Sequence, residues 1–426
     1  MVASATLMER DAPYDLLVEL ARGKVNQVRG QAADWRSVGL HIPGSLDDLI
    51  QTATMTFGRA ATAQPAPDAA GLARTALRLG YETADALTRE YIHQLFDARR
   101  QREPRLGASF GFRLAAPPAA GVADQVPLAC NSAVLALTWK QVEPAESQYQ
   151  WDAADATLDW AERHGLRVSA GPLVDFSRAG LPDWLSLWEG DPNSLASFLC
   201  DYVETAVQRY RGRVRRWQLC TASNRAGLLG LGEEELLALT ARLVEAALSI
   251  DSGLELVLGI AQPWGEYMAS EDHTYSPLVF VDTLLRHGLK LAAIELECYM
   301  GFAARGSYCR DLLEASRLLD LYAVLGVPLQ VALGYPSAGD PDPGGDPNIR
   351  PGFGHWHSGY TPDIQAEWAE GFASLALCKP FVSGVTWCHL GDDRPHLLPH
   401  AGLIDAAGNV KPAFLRWREL REAFVE

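Results

Sequence analysis

The chain has 426 residues, 48% of them hydrophobic and 21% charged, with a net charge of −16. That length is more than one ordinary domain needs, and the apolar fraction supports a sizeable core rather than a disordered chain. A field of this sign repels phosphate backbones, which argues against nucleic acid as a partner and leaves uncharged ligands open. The seven cysteines are dispersed, without a CxxC pair, and several sit in apolar runs. They read as reduced core residues rather than a disulfide framework, which favours a cytoplasmic setting. The run MVASATLMERDAPYD lacks a basic region followed by an apolar core, so no signal peptide is expected. No apolar run is long enough to span a membrane.

The first part of the chain reads as helical. Leu17, Ala21, Val25, Val28, Ala32 and Trp35 recur at spacings of three and four, the stripe of an amphipathic helix that Gly39 and Pro43 end. Ser45 with Asp48 resembles a capping box and predicts a second helix through about Phe57. The segment AQPAPD predicts a loop before a long third helix, with the stripe Leu72, Ala76, Leu79, Leu87, Tyr91 and Leu95. Arg99, Arg100 and Arg102 then complement the C-terminal end of that helix's dipole. These readings give an N-terminal helical segment, residues 1–104. An exposed apolar face on it would make homo-oligomer formation part of its role.

From Arg105 short β-branched apolar runs alternate with helical patterns. Eight strands are predicted: Leu106–Leu114, Ala133–Trp139, Arg167–Phe176, Val214–Ala222, Leu254–Gln262, Leu291–Met300, Pro328–Tyr335 and Ser383–Leu390. Amphipathic stretches at Asn193–Tyr210, Glu233–Leu248, Leu312–Val324 and Thr361–Leu377 fall between them. Continuous apolar strands separated by helices mean parallel strands covered by helices. Eight such units over 105–426 predict a (β/α)8 TIM barrel. A doubly wound open sheet is the other reading, but no GxGxxG turn follows any strand.

Several runs resemble the family-10 glycoside hydrolases, the xylanases. They are Trp139-Lys140-Gln141-Val142-Glu143-Pro144, His164-Gly165-Leu166-Arg167-Val168, Pro182-Asp183-Trp184-Leu185, Arg209 to Trp217, Gly384-Val385-Thr386-Trp387, Gly402-Leu403-Ile404-Asp405 and Lys411-Pro412-Ala413-Phe414. The resemblance, which extends to xylanase-like proteins of planctomycete bacteria, implies the barrel and a carbohydrate ligand. It also implies where catalysis would sit, and there this chain departs. The family's acid/base Glu falls on Ala222, and strand seven, Val331-Ala332-Leu333-Gly334-Tyr335, has no acid for its nucleophile. The family's strand-three histidines fall on Gly171 and Phe176, and its strand-two Lys on Thr138.

Cleavage of a glycosidic bond needs two carboxyl groups flanking it, and in a barrel they come from the C-terminal ends of strands. Glu297, Glu266 and Asp175 meet that condition and are the catalytic candidates, with Glu297 and Glu266 the first choice of pair. Glu295 and Glu297 alternate with Ile294, Leu296 and Cys298, which sends both carboxylates into the barrel. Their other role is as structural ion pairs with an Arg from another strand. Trp139, Asn224, Trp264, Glu295, Tyr299, His355, His357, Trp387, His389 and Asp392 are candidate sugar contacts. The strand-seven loop, Ala338 to Pro351 and on to His357, is expected to act as a lid over the mouth. His355-x-His357 lacks a further ligand at a recognisable spacing, so no metal and no cofactor is expected. Two functions stay open: a glycoside hydrolase-like enzyme using a non-standard carboxylate pair, and a non-catalytic carbohydrate-binding barrel.

Overall fold

Eight parallel strands close into a ring in the computed structural model, which describes residues 3–64, 68–225, 227–269 and 273–426. They are β1 Ser109–Leu114, β2 Ser132–Leu135, β3 Arg167–Ala170, β4 Arg216–Thr221, β5 Glu255–Ile260, β6 Ala293–Tyr299, β7 Leu329–Gly334 and β8 Val382–Trp387. The order runs β3-β2-β1-β8-β7-β6-β5-β4, and Ser169 and Ala170 of β3 pair with Arg216 and Trp217 of β4 to close it. Helices Pro192–Arg209, Glu233–Ile250, Leu312–Ala323, Pro362–Cys378 and Pro412–Phe424 alternate with the strands, so the (β/α)8 architecture is present.

Alternation along each strand builds two cores. On β1, Phe110 and Phe112 face outward against Trp417 and Phe414 of the last helix, with the Phe110 and Trp417 rings stacked at 4.1 Å. The intervening Gly111 and Arg113 face the barrel axis. Gly111 is required by proximity, because a Cβ there would lie 1.9 Å from the Ser132 carbonyl oxygen. On β6, Ile294, Leu296 and Cys298 are buried beneath the helices, while Glu295 and Glu297 point inward. The strand bounds differ from the sequence reading at several ends. Trp139, expected to close β2, instead opens the short helix Trp139–Val142. The third predicted strand splits into β3 and a two-residue extension, Val174–Asp175, at the cis Gly171–Pro172 bond. The seven cysteines carry thiols, and six are buried.

The chain divides into two compact units, and the smaller comprises the residues up to Pro104 together with Arg310–Arg317. Its helices are α1 Leu16–Ser37, α2 Gly44–Thr62 and α3 Asp68–Arg100. Asp15 caps α1 by accepting from the Val18 backbone N–H. The predicted cap at Ser45 does not form; α2 begins at Gly44 after Pro43, with no side-chain cap bond. Of the predicted AQPAPD loop, Pro65, Ala66 and Pro67 lie outside the described residues. The apolar stripes meet in two clusters, one built on Val18, Ala21, Ala60, Ala73 and Ala76, the other on Val28, Trp35, Leu46, Leu87 and Leu313. The small alanines let helix backbones approach closely, and Trp35 stacks on Tyr91 at 4.0 Å.

Within this unit Lys24 is buried, with Nζ 2.5 Å from Asp311 Oδ2 and 2.8 Å from Gln27 Oε1. Asp311 also accepts from the Glu314 N–H through its other oxygen. Removing the lysine strands a buried carboxylate, so Lys24→Met is expected to cost about 3–5 kcal/mol. Chemical denaturation followed by circular dichroism measures that loss, and Lys24→Met with Asp311→Asn is expected to recover part of it.

Candidate functional site

Three carboxylates and two arginines meet inside the mouth of the barrel. Arg113 of β1 reaches across the axis. Its Nη2 lies 3.0 Å from Glu295 Oε1 and 2.8 Å from Gln218 Oε1, and its Nη1 donates to the Tyr299 hydroxyl at 3.2 Å. Gln218 donates to the same Glu295 oxygen at 2.9 Å. One layer nearer the mouth, Thr221 donates to Glu297 Oε1 at 2.7 Å. Arg305, in the loop after β6, grips Asp175 with both ends of its fork, at 3.1 and 2.9 Å. The nitrogen that makes the shorter of these contacts lies 3.6 Å from Glu297 Oε2.

Glycine makes this layering possible. A Cβ at Gly259 of β5 would fall 2.4 Å from Gln218 Nε2 and 2.7 Å from Thr221 Oγ1, the two groups that hold Glu295 and Glu297. Gly180 likewise admits the loop against Asp175, where a Cβ would meet the Asp175 side chain at 2.3 Å. The charges do not balance: two guanidinium groups face three carboxyls. The Glu297 pKa is raised, first by burial and also by Asp175, against the opposing pull of Arg305, Thr221 and Arg113. Burial raises the Tyr299 phenol as well, which keeps it neutral beside Arg113.

Above this layer lies a cleft of about 870 Å³. Its walls carry Lys140, Asp175, Arg178, Asp183, Glu189 and Asp346. A second cavity of about 460 Å³ is also lined by Arg178, Asp346 and Asn348, and adds Arg225 and Arg305. Lys140 bonds Asp183 at 2.6 Å across the cleft wall. The Gly/Pro/Asp-rich stretch contributes Gly344 to Asn348 to the wall.

The expected sites separate into three groups. Glu297 and Asp175 are brought together through Arg305, but Glu297 is only 2% exposed and lines neither cavity. Glu266 lies apart from them at the start of a short 3-10 helix, where its carboxylate accepts from Ser307 and the Tyr308 N–H. Most expected sugar contacts are spent internally. Trp139 donates to Glu143 at 2.7 Å and stacks on Tyr202. Trp387 donates to the Ala401 carbonyl at 2.7 Å between Trp368 and Trp417. Asn224 ties the ends of β4 and β5 together through both the Ala261 N–H and its carbonyl. Glu295 and Tyr299 belong to the Arg113 network, and neither these five residues nor the half-buried Trp264 line the cleft. His355 and His357 are exposed, and their Nδ1 atoms face the His357 carbonyl and Glu367. His389 and Asp392 sit together beside a smaller cavity, 3.0 Å apart. Burial lowers the His389 pKa, and Asp392, despite its burial, is held well below the usual carboxylate range by His389 and Lys411. The sequence reading anticipated an arginine partner for the two inward glutamates. It did not single out Arg113 or Arg305, although alternation on β1 already turned Arg113 inward.

Comparison with known proteins places this geometry. Residues 131–221 match the Glycosyl hydrolase family 10 model. Endo-1,4-beta-xylanase B of Humicola insolens is 31% identical over 97 residues, 22% of this chain and 26% of that protein. Endo-1,4-beta-xylanase B of Thermotoga neapolitana is 29% identical over 83 residues, 20% and 23% of the two chains. These sequence matches therefore span about a quarter of the curated relatives. Native xylanase 10B from Thermotoga maritima superposes with a TM-score of 0.54 at 18% identity, covering 76% of this chain and 97% of that one. The xylanase from Thermobacillus composti gives 0.53 at 18%, covering 77% and 99%. The protein has the barrel fold of the family-10 xylanases, and residues 131–221 are similar in sequence to that family. The family match stops at Thr221, the residue before Ala222.

The mouth cluster separates two substitutions. Asp175→Asn removes the forked partner of a buried guanidinium and is expected to cost about 3 kcal/mol. Glu297→Gln removes a charge that burial disfavours and is expected to cost less stability than Asp175→Asn. The sign with pH follows from the raised pKa. Above the ordinary glutamate range the folded state still holds a proton the unfolded state has lost, so stability falls as pH rises through that window. Denaturant titrations across that range are expected to show the Gln variant gaining on the parent as pH increases.

Proposed function

We propose that this protein is a carbohydrate-binding barrel that holds an oligosaccharide in its cleft without cleaving it by paired carboxylates. The observation that carries this reading is Arg305. Its guanidinium lies between Asp175 and Glu297 and contacts both, at 2.9 and 3.6 Å, where a glycosidic oxygen or an attacking water would have to sit. The resemblance supports it, because the positions of the family's acid/base and nucleophile carry no acid. The cleft supports a hydroxyl-rich ligand: Lys140, Arg178, Asp183, Asp346 and Asn348 present donors and acceptors along it.

A second reading has its own observation. A buried carboxyl with a raised pKa, bridged through one arginine to a second carboxyl, is an arrangement open to general acid catalysis. On this reading Glu297 and Asp175 act on a glycosidic bond once Arg305 moves aside.

A panel of xylan, xylo-oligosaccharides and other neutral polysaccharides distinguishes the two, with calorimetry for binding and mass spectrometry for products. The expected result is binding without product, weakened at least about 10-fold by Lys140→Ala with Asp183→Ala, the loss of two cleft-wall polar groups. Product release that falls about 10²-fold or more in Glu297→Gln overturns the binding reading in favour of the enzyme.

A further inference from the structure

We propose that His389, Asp392 and His396 form a binding site for a divalent transition metal of the zinc type. They lie in the turn that leaves β8, and their ligand atoms are all within 4.8 Å of one another. Both imidazoles aim Nε2 at the same atom, Asp392 Oδ1, at 3.0 Å from His389 and 3.7 Å from His396. Four-coordinate zinc with ligand bonds near 2.0–2.2 Å requires donors about 3.3 Å apart, and the two separations bracket that value. The rings are stacked, 4.6 Å between centroids, so they present their edges side by side. Asp342 Oδ2, from the 338–351 stretch, lies 2.9 Å from His396 Nε2 and borders the three donors. Two nitrogens and a carboxylate oxygen, with a fourth position left open, suit zinc and its neighbours in the first transition row better than calcium or magnesium.

The surroundings orient these donors as outer groups orient metal ligands. His396 Nδ1 lies 2.7 Å from the Arg394 carbonyl, which fixes Nε2 toward Asp392. Lys411 holds the far oxygen of Asp392 at 2.6 Å, and the Gly402 N–H approaches the near one at 2.7 Å. Asp342 is steadied by the His400 and Gly344 N–H groups, at 2.7 and 2.9 Å. Two carboxylates against one lysine leave a net negative charge for the cation. The bound ion would brace the turn after β8, from which His396 itself lines the cleft.

The test uses the full chain, stripped with a chelator and titrated with zinc and with cobalt(II). The expected result is one equivalent of zinc by calorimetry and elemental analysis, and a tetrahedral cobalt(II) absorption band. His389→Gln and His396→Ala are each expected to weaken zinc binding at least about 10-fold, with folding checked by circular dichroism. The cobalt band of the unaltered chain keeps the test decisive should a variant fail to fold. Absence of zinc uptake, an octahedral cobalt spectrum, or zinc that is lost only in His355→Ala with His357→Ala overturns the site.

Discussion

A carboxylate inside a β-barrel has to be compensated, because burial in a low dielectric disfavours its charge by several kcal/mol. This chain places three there, Glu295, Glu297 and Asp175, and the mouth is organised around holding them. Arg113 crosses from the opposite side of the ring to Glu295, and Arg305 returns from the loop after β6 to Asp175. The third carboxyl, Glu297, shares Arg305 with Asp175 at 3.6 Å, and burial raises its pKa. The barrel axis is thereby filled by a polar network rather than by the apolar layers common in this architecture.

That network shapes the cleft above it. Because Arg305 lies between Asp175 and Glu297, the barrel mouth holds an ion pair instead of two facing acids. Tryptophans that a sugar-binding mouth would be expected to display are committed to packing instead: Trp139 against Tyr202, and Trp387 against Trp368 and Trp417. The cleft wall is instead mixed, with Lys140, Arg178, Asp183 and Asp346 set among Leu181, Leu228 and Leu229. The histidine-rich turn after β8 borders the same space, so an event there would bear directly on the cleft's shape.

The helical unit follows different physics. Its stripes are rich in alanine, and its core is made by close approach of helices, fixed at one end by the Trp35–Tyr91 stack. The buried Lys24–Asp311 pair adds little net energy but specifies one arrangement, since breaking it leaves a charge without a partner.

The sequence by itself determined the periodicities. Apolar runs of strand length between amphipathic helices gave eight strands in the right order, and alternation along β6 sent Glu295 and Glu297 inward. The loss of acids at Ala222 and on Val331–Tyr335 was also legible, because it needs only the chain and its resemblance. What each inward group meets was not. Arg113 and Glu295 are 182 residues apart, and Arg305 and Asp175 are 130 apart. Such pairings are set by ring closure, which no local pattern encodes. The same holds for Trp139, Trp387 and Asn224: a residue's type marks it as able to face a ligand, but only tertiary packing decides whether its hydrogen bonds are already used within the fold.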